Sequence, residues 1–458
     1  MLEEGLITSL REALGPSKIV QKTETVERYS ADALTPSRAF GAAPLLKMAA
    51  DLVVKPSSSQ DVVAIVNLAT KHRTPLVPYG GGTGVMGAVI PVKGGIIVDL
   101  RGLNRVLEVN TKDRTATVES GIILEDLTKA LDKKHLILGH DPWSAPIATV
   151  GGAISTNSVG YRASMVGPMG AQVLSLEVVL PSGHILITRP VSNYSSGPNV
   201  NELFIGSEGT FGIITKATIR VYRRPEARIF STFRFPTFDQ GFEAVSELFA
   251  LGLKPSVVDL TEDFEGISLY MIFEGFREGV NAQHQRSGKV CKAFGGTDIG
   301  PTDTTIYWDT RYHIAKSYKD SIATLSREEQ WRQPSRAFDY LHVALPISKI
   351  LTYRRQCDRI LKGYDIQVSE YAIWTEPELY SMVLVPGEGT QPEDMPKAVD
   401  RVLILAQDMG GVMEYCHGVG IKLAHLLARE MGEGMGVVRA MKKALDPHNI
   451  MNPGKLGL

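Results

Sequence analysis

Only three cysteines, Cys291, Cys357 and Cys416, occur in 458 residues. They are odd in number and far apart, which argues against a disulfide framework and points to a reducing compartment. The opening Met-Leu-Glu-Glu-Gly-Leu is acidic and lacks the positive-then-apolar pattern of a secretory signal, so a cytoplasmic location is expected. No apolar run approaches the roughly 20 residues of a bilayer span, and no membrane-spanning segment is expected. Neither charge predominates, since 49 basic and 50 acidic residues give a net charge of −1. Without a basic surplus to neutralise phosphates, nucleic acid is not an expected partner. Hydrophobic residues are plentiful at 43%, and a chain of this length is expected to divide into two domains.

The informative glycines fall in three runs. The first is Pro78-Tyr-Gly-Gly-Gly-Thr-Gly-Val-Met-Gly87, in which Gly82-x-Gly84-x-x-Gly87 matches the dinucleotide fingerprint by letter. Its context rejects that fingerprint, because a Rossmann turn must open a helix that faces the pyrophosphate. Here a helix-like stretch, Asp61–His72, precedes the glycines. The β-branched Ala88–Leu100, broken by Pro91 and Gly94-Gly95, follows them. What is left is a glycine loop between extended segments, where missing Cβ atoms let backbone N–H groups converge on an anion. The second run is Thr149-Val-Gly-Gly-Ala-Ile-Ser-Thr-Asn-Ser-Val-Gly160 and the third is Gly206-Ser-Glu-Gly-Thr-Phe-Gly-Ile-Ile-Thr215. Each mixes glycine with hydroxyls and reads as a loop suited to a long polar ligand.

The order and wording of these runs resemble the flavin-binding domain of the vanillyl-alcohol oxidase superfamily, the PCMH-type FAD fold. Near the C-terminus, Cys416-His-Gly-Val-Gly420 and Leu445-Asp-Pro-His-Asn-Ile-Met-Asn-Pro-Gly-Lys455 resemble the C-terminal domain of FAD-linked oxidases. The resemblance implies FAD as cofactor. In the first run it implies contacts from Pro78, Gly80, Gly81, Gly82, Thr83, Gly84 and Gly87. In and before the second it implies Pro142, Thr149, Gly151, Gly152, Ser155, Thr156 and Gly160. In the third it implies Glu208, Gly209, Gly212, Ile213 and Ile214, with Asn452 from the tail. Some relatives attach FAD through a histidine in the first loop. Thr83 stands at that place here, so non-covalent FAD is expected.

The fold class expected is α+β. Residues 1–44 read as a helical lead-in, with Leu6, Leu10 and Leu14 on one face, and residues 45–222 as the FAD-binding domain. Residues 223–405 hold a weak repeat, βαββα twice. Its halves can pair into one antiparallel sheet with helices on one face, a duplicated ferredoxin-like cap. Residues 406–458 are expected to return to the flavin.

His417 is the candidate acid or base, because histidine titrates near working pH and glycines flank it. The resemblance places it facing the flavin. His313 and His425 sit on helix-like stretches and read as structural. The D-2-hydroxyacid dehydrogenase branch carries two strand histidines and a glutamate that bind zinc or manganese. Aligned on Leu379-Tyr-Ser-Met-Val383, this chain has Ile373 and Tyr380 in place of the histidines and Cys416 in place of the glutamate. No metal is expected, and Tyr380 becomes a candidate partner for His417. Arg311, in Trp308-Asp-Thr-Arg-Tyr312, matches an arginine that relatives set against the substrate carboxylate.

The resemblance leaves two functions open. One is a flavin oxidoreductase acting on a small anionic alcohol, such as a 2-hydroxy acid of the D-lactate or glycolate kind. The other is a transferase like alkyl-dihydroxyacetone-phosphate synthase, with a flavin–substrate adduct and no net redox change. Phe273-Glu-Gly-Phe-Arg-Glu278 resembles the latter. The electron acceptor is left open, as is a homodimer.

Overall fold

The computed structural model describes residues 2–332 and 338–458. It opens with the helix Glu4–Leu14, which buries Leu6, Ile7, Leu10 and Leu14 on one stripe. That stripe lies on the helix Ser59–Lys71, which Ser58 starts by accepting the Asp61 N–H. Beneath it is a four-stranded sheet in the order Ile19–Val20, Leu52–Val54, Ile96–Asp99, Leu76–Tyr79. The last three strands are parallel, and their near-continuous Val/Ile/Leu content suits burial on both faces.

A second, antiparallel sheet centres on the long strand Ile213–Arg223. On one side lies the hairpin Val106–Asn110/Thr115–Glu119, and on the other the hairpin Val173–Val179/Ile185–Ile187. The turn residues Thr111-Lys-Asp-Arg114 and Pro181-Ser-Gly183 connect their strands. The first glycine run leads from the strand Leu76–Tyr79 to the strand Ile96–Asp99 with no helix between, as its context required. The second run departs from expectation, since Val150–Thr156 is a short helix rather than a loop. The Thr149 hydroxyl accepts the Gly152 N–H at 3.2 Å. That cap offsets part of the cost of about 1 kcal/mol that each glycine brings to a helix.

The third sheet has seven antiparallel strands, with Thr297–Gly300 as an edge strand that sequence patterning missed. The order continues Ala227–Phe235, Gly266–Gly275, Val257–Asp263, Ile366–Trp374, Leu379–Pro386, Asp339–Ala344. The two βαββα halves meet where Asp259 pairs with Trp374 and Leu260 with Ile373. Helices Phe238–Ala250, Arg277–Ala293, Ile350–Lys362 and Asp394–Asp408 cover one face and share its core with Leu260, Met271, Phe273, Ile373 and Tyr380. Successive strand residues face opposite ways, so His342 and Ser381 face the other side. No helix among the described residues is long and apolar enough to cross a membrane.

Candidate active site

The first two sheets and the tail of the chain enclose a groove. The three glycine runs line it with Pro78, Gly80, Gly81, Gly82, Thr83, Gly84, Thr149, Gly151, Gly152, Ser155, Thr156, Glu208, Gly209, Gly212 and Ile214, and Pro142 joins them. Cys416 and His417 line one end. The other four residues expected at the cofactor stand behind this wall. Gly87 donates its N–H to Asp32 at 3.0 Å, Gly160 packs against the Asp141 backbone, and Ile213 is fully buried in the core. Asn452 donates to the carbonyls of Ala88 (2.9 Å) and Glu208 (2.7 Å).

The wall suits a long polar ligand. Much of it is backbone without side chains, and the buried Ser120 Oγ on it has no hydrogen-bond partner among the described residues. The Asn452 Oδ1 is also buried and without a partner. Such orphaned groups are costly unless a ligand or water satisfies them. Gly82 has φ +65°, and a Cβ there would strike the Tyr79 hydroxyl. The glycine is therefore required by the loop's own turn as well as by any close ligand.

Glu208, expected at the cofactor, also holds the tail. Its carboxylate accepts the N–H groups of Val419 (2.6 Å) and Gly420 (2.9 Å), fixing the turn that presents His417. At Gly420 φ is +54°, and a Cβ would run into the Met86 carbonyl. The tail is further pinned where the Leu76 N–H donates to the Ile450 carbonyl at 2.7 Å.

His417 is half-buried beside Glu414, with Nδ1 3.6 Å from the carboxylate. The Glu414 carboxylate accepts the backbone N–H of Cys416 (2.7 Å) and of His417 (2.9 Å). Burial disfavours the charged ring, but Cys416 and Glu414 outweigh it and hold the His417 pKa well above 6.5. Two further aromatic groups flank this ring, Tyr340 with centroids 5.4 Å apart and His342 at 4.7 Å. Tyr340 in turn carries the Arg38 guanidinium 3.8 Å above its face. Arg38 and Lys422 both bind the buried Asp339, at 3.0 and 2.7 Å.

Sequence reasoning missed Asp32, Arg38, Tyr340, His342, Glu414 and Lys422. The segment read as a lead-in does more than lead in. The Ala33 N–H donates to the Gly84 carbonyl at 2.8 Å, and Arg38 reaches Asp339, 301 residues away. No local signal marks such pairs.

Two candidates lie elsewhere. Tyr380 is fully buried on the helix face, against Tyr353 and Phe238, and its hydroxyl has no partner among the described residues. Ile373 pairs with it and faces the same way. Both side chains thus face the helix-covered core, and it is the neighbour Ser381 that faces His342. Arg311 stacks on Trp308 (3.7 Å) and Tyr312 (4.1 Å), donates to the Trp308 carbonyl at 2.6 Å, and lies 3.6 Å from Asp141. Asp141 also accepts from Arg162, which reaches Glu274 on the third sheet. Arg311 therefore belongs to a network joining the halves of the protein. Arg311→Ala is expected to lower stability by about 1–2 kcal/mol and to affect neutral and anionic alcohols alike. A loss confined to anionic substrates would return Arg311 to the substrate site. Among the described residues, no group of three or more His, Cys, Asp or Glu is placed to share a metal ion.

Comparison with known proteins agrees with this architecture. Residues 50–189 match the FAD binding domain and residues 224–456 match the C-terminal domain of FAD linked oxidases. The chain is 30% identical over 458 residues to D-lactate dehydrogenase of Archaeoglobus fulgidus, covering 96% of this chain and 98% of that one. It is 26% identical over 467 residues to alkyldihydroxyacetonephosphate synthase of Trypanosoma brucei brucei, covering 89% and 73%. Among solved structures, p-cresol methylhydroxylase with substrate bound superimposes with TM-score 0.78 at 17% identity, covering 100% of this chain and 98% of that one. The fold is thus the PCMH type, the cofactor is FAD, and the chain belongs to the FAD-linked oxidase family.

Proposed function

We propose that the protein oxidises a small anionic alcohol, of the 2-hydroxy acid class, with FAD as the acceptor of the hydride. The observation that supports this most is the charge at the His417 end of the groove. Arg38 and Lys422 converge on the buried Asp339, and His417 is held cationic beside Glu414. This gathering of buried cationic groups suits a ligand that brings its own anion. His417, held as imidazolium by Glu414, can stabilise negative charge that develops on the substrate oxygen as its proton leaves. The likeness to D-lactate dehydrogenase points to the same substrate class.

Residues 45–222 would carry the cofactor, residues 223–405 would cap the substrate, and residues 406–458 would close the site between them. Three free, buried cysteines suit a reducing compartment. Thr83 on the groove wall offers no ring nitrogen for attachment. Acid precipitation should therefore release yellow flavin into the supernatant, and flavin kept in the pellet would contradict non-covalent binding. The test of substrate class is anaerobic mixing with D-lactate, glycolate and neutral alcohols of equal size.

The second reading, a transferase without net redox change, draws on the likeness to the trypanosomal synthase. Tyr380, packed in the core against Tyr353 and Phe238, adds no support to it. It would show as substrate-dependent release of a fatty acid or alcohol while the flavin stays oxidised.

A further inference from the structure

We propose that His342 is a second catalytic residue of this site, the acceptor of the substrate's hydroxyl proton, and that His417 acts beside it as the charged partner. The proposal rests on the reading above, that an alcohol is oxidised here. His342 is on the strand Asp339–Ala344, on the face opposite the helix layer, and it is half-buried rather than sealed in the core. Its ring lies 4.7 Å from that of His417, which lines the flavin groove. Its Nδ1 is 2.7 Å from Ser381 Oγ, and that hydroxyl is 2.8 Å from Tyr415 OH. Ser381 thus engages one ring nitrogen, and Nε2 has no hydrogen-bond partner among the described residues. With Nδ1–H donating to Ser381, Nε2 carries the lone pair that a base requires.

The surroundings push the two rings apart, the arrangement that separates an acid from a base. The groups facing His342 are His417 and Glu414 from the tail, Lys422 from the same loop, and Arg38 from the N-terminal segment. Tyr340 and Tyr415 flank it with ring centroids at 5.5 and 5.4 Å. Burial and then the His417 charge lower the His342 pKa to about 3. An anionic substrate entering this cluster offsets that charge, so its arrival makes His342 more basic. In the step itself the C–H bond breaks and its electron pair and hydrogen leave as hydride to FAD. The O–H bond breaks and its proton goes to His342 Nε2, and the carbon–oxygen bond becomes a carbonyl. Ser381 accepts the Nδ1–H of the charged ring and passes its own hydroxyl hydrogen bond to Tyr415.

The test uses the FAD-loaded full chain with ¹⁵N-labelled histidine, with H342Q and H417Q assigning the two rings by NMR. The expected wild-type result is a neutral His342 in the Nδ1–H form down to below pH 5, with His417 still cationic at pH 7. In S381A the His342 tautomer should lose its preference. H342Q should purify yellow and be reduced by D-lactate or glycolate roughly 10²–10⁴-fold more slowly. An Nε2–H or cationic His342 at pH 7, or wild-type reduction of H342Q, would overturn the proposal. Were no 2-hydroxy acid to reduce the wild-type flavin, the substrate reading would fall, and the tautomer in the wild-type spectrum would still decide the state of His342.

Discussion

His417→Ala is expected to purify yellow yet to slow substrate-driven flavin reduction by roughly 10²–10³-fold, the usual worth of one preorganised group that stabilises charge developing on the reacting oxygen. The two effects separate because they come from different parts of the chain. The groove wall is built before residue 216, by the three glycine runs, whereas His417 is delivered from the tail on a turn held by Glu208. Removing the ring leaves the turn's N–H groups and their carboxylate in place. The loss should fall on kcat more than on cofactor content, as measured by flavin absorbance per chain and anaerobic stopped-flow. A colourless variant would make His417 structural. A yellow variant with wild-type rates would remove it from the mechanism.

Asp339→Asn is expected to cost about 3–5 kcal/mol of stability, the range for removing one partner of a buried ion pair. Asp339 is fully buried, and the Arg38 and Lys422 side chains are 6% and 1% exposed. The asparagine would leave two buried cations facing a neutral amide, one of them stacked on Tyr340. Equilibrium denaturation should show the loss. Adding Lys422→Met to Asp339→Asn should recover part of it, because the two sites share one network. A change within about 0.5 kcal/mol, the range for ordinary surface substitutions, would mean that water reaches these charges.

Much of this architecture is legible in the sequence because it rests on local periodicity. The stripe Leu6, Leu10, Leu14 reads directly as a helix face, and the turns at 111–114 and 181–183 read as hairpins. The repeated βαββα pattern predicts a sheet whose halves join, and they join at Asp259–Trp374. The glycine-lined groove is legible for a different reason, since backbone approach to a ligand demands glycine and leaves a visible run. What failed involves one-residue phase or long separation. A strand alternates its faces every residue, so Tyr380 lies in the core while its neighbour Ser381 faces His342. The ion pair between Arg38 and Asp339 leaves no trace in either neighbourhood. Val150–Thr156 was misread because glycine content hid a helix that Thr149 caps.

The central claim, that this groove performs redox chemistry on an anionic alcohol, is tested most directly by anaerobic addition of D-lactate and glycolate to the flavin-loaded protein. The account predicts that the visible flavin absorbance is lost to completion with at least one 2-hydroxy acid, in a saturable manner, and is unaffected by neutral alcohols of equal size. Retention of the oxidised spectrum with every 2-hydroxy acid, or equal bleaching by neutral alcohols, would contradict it.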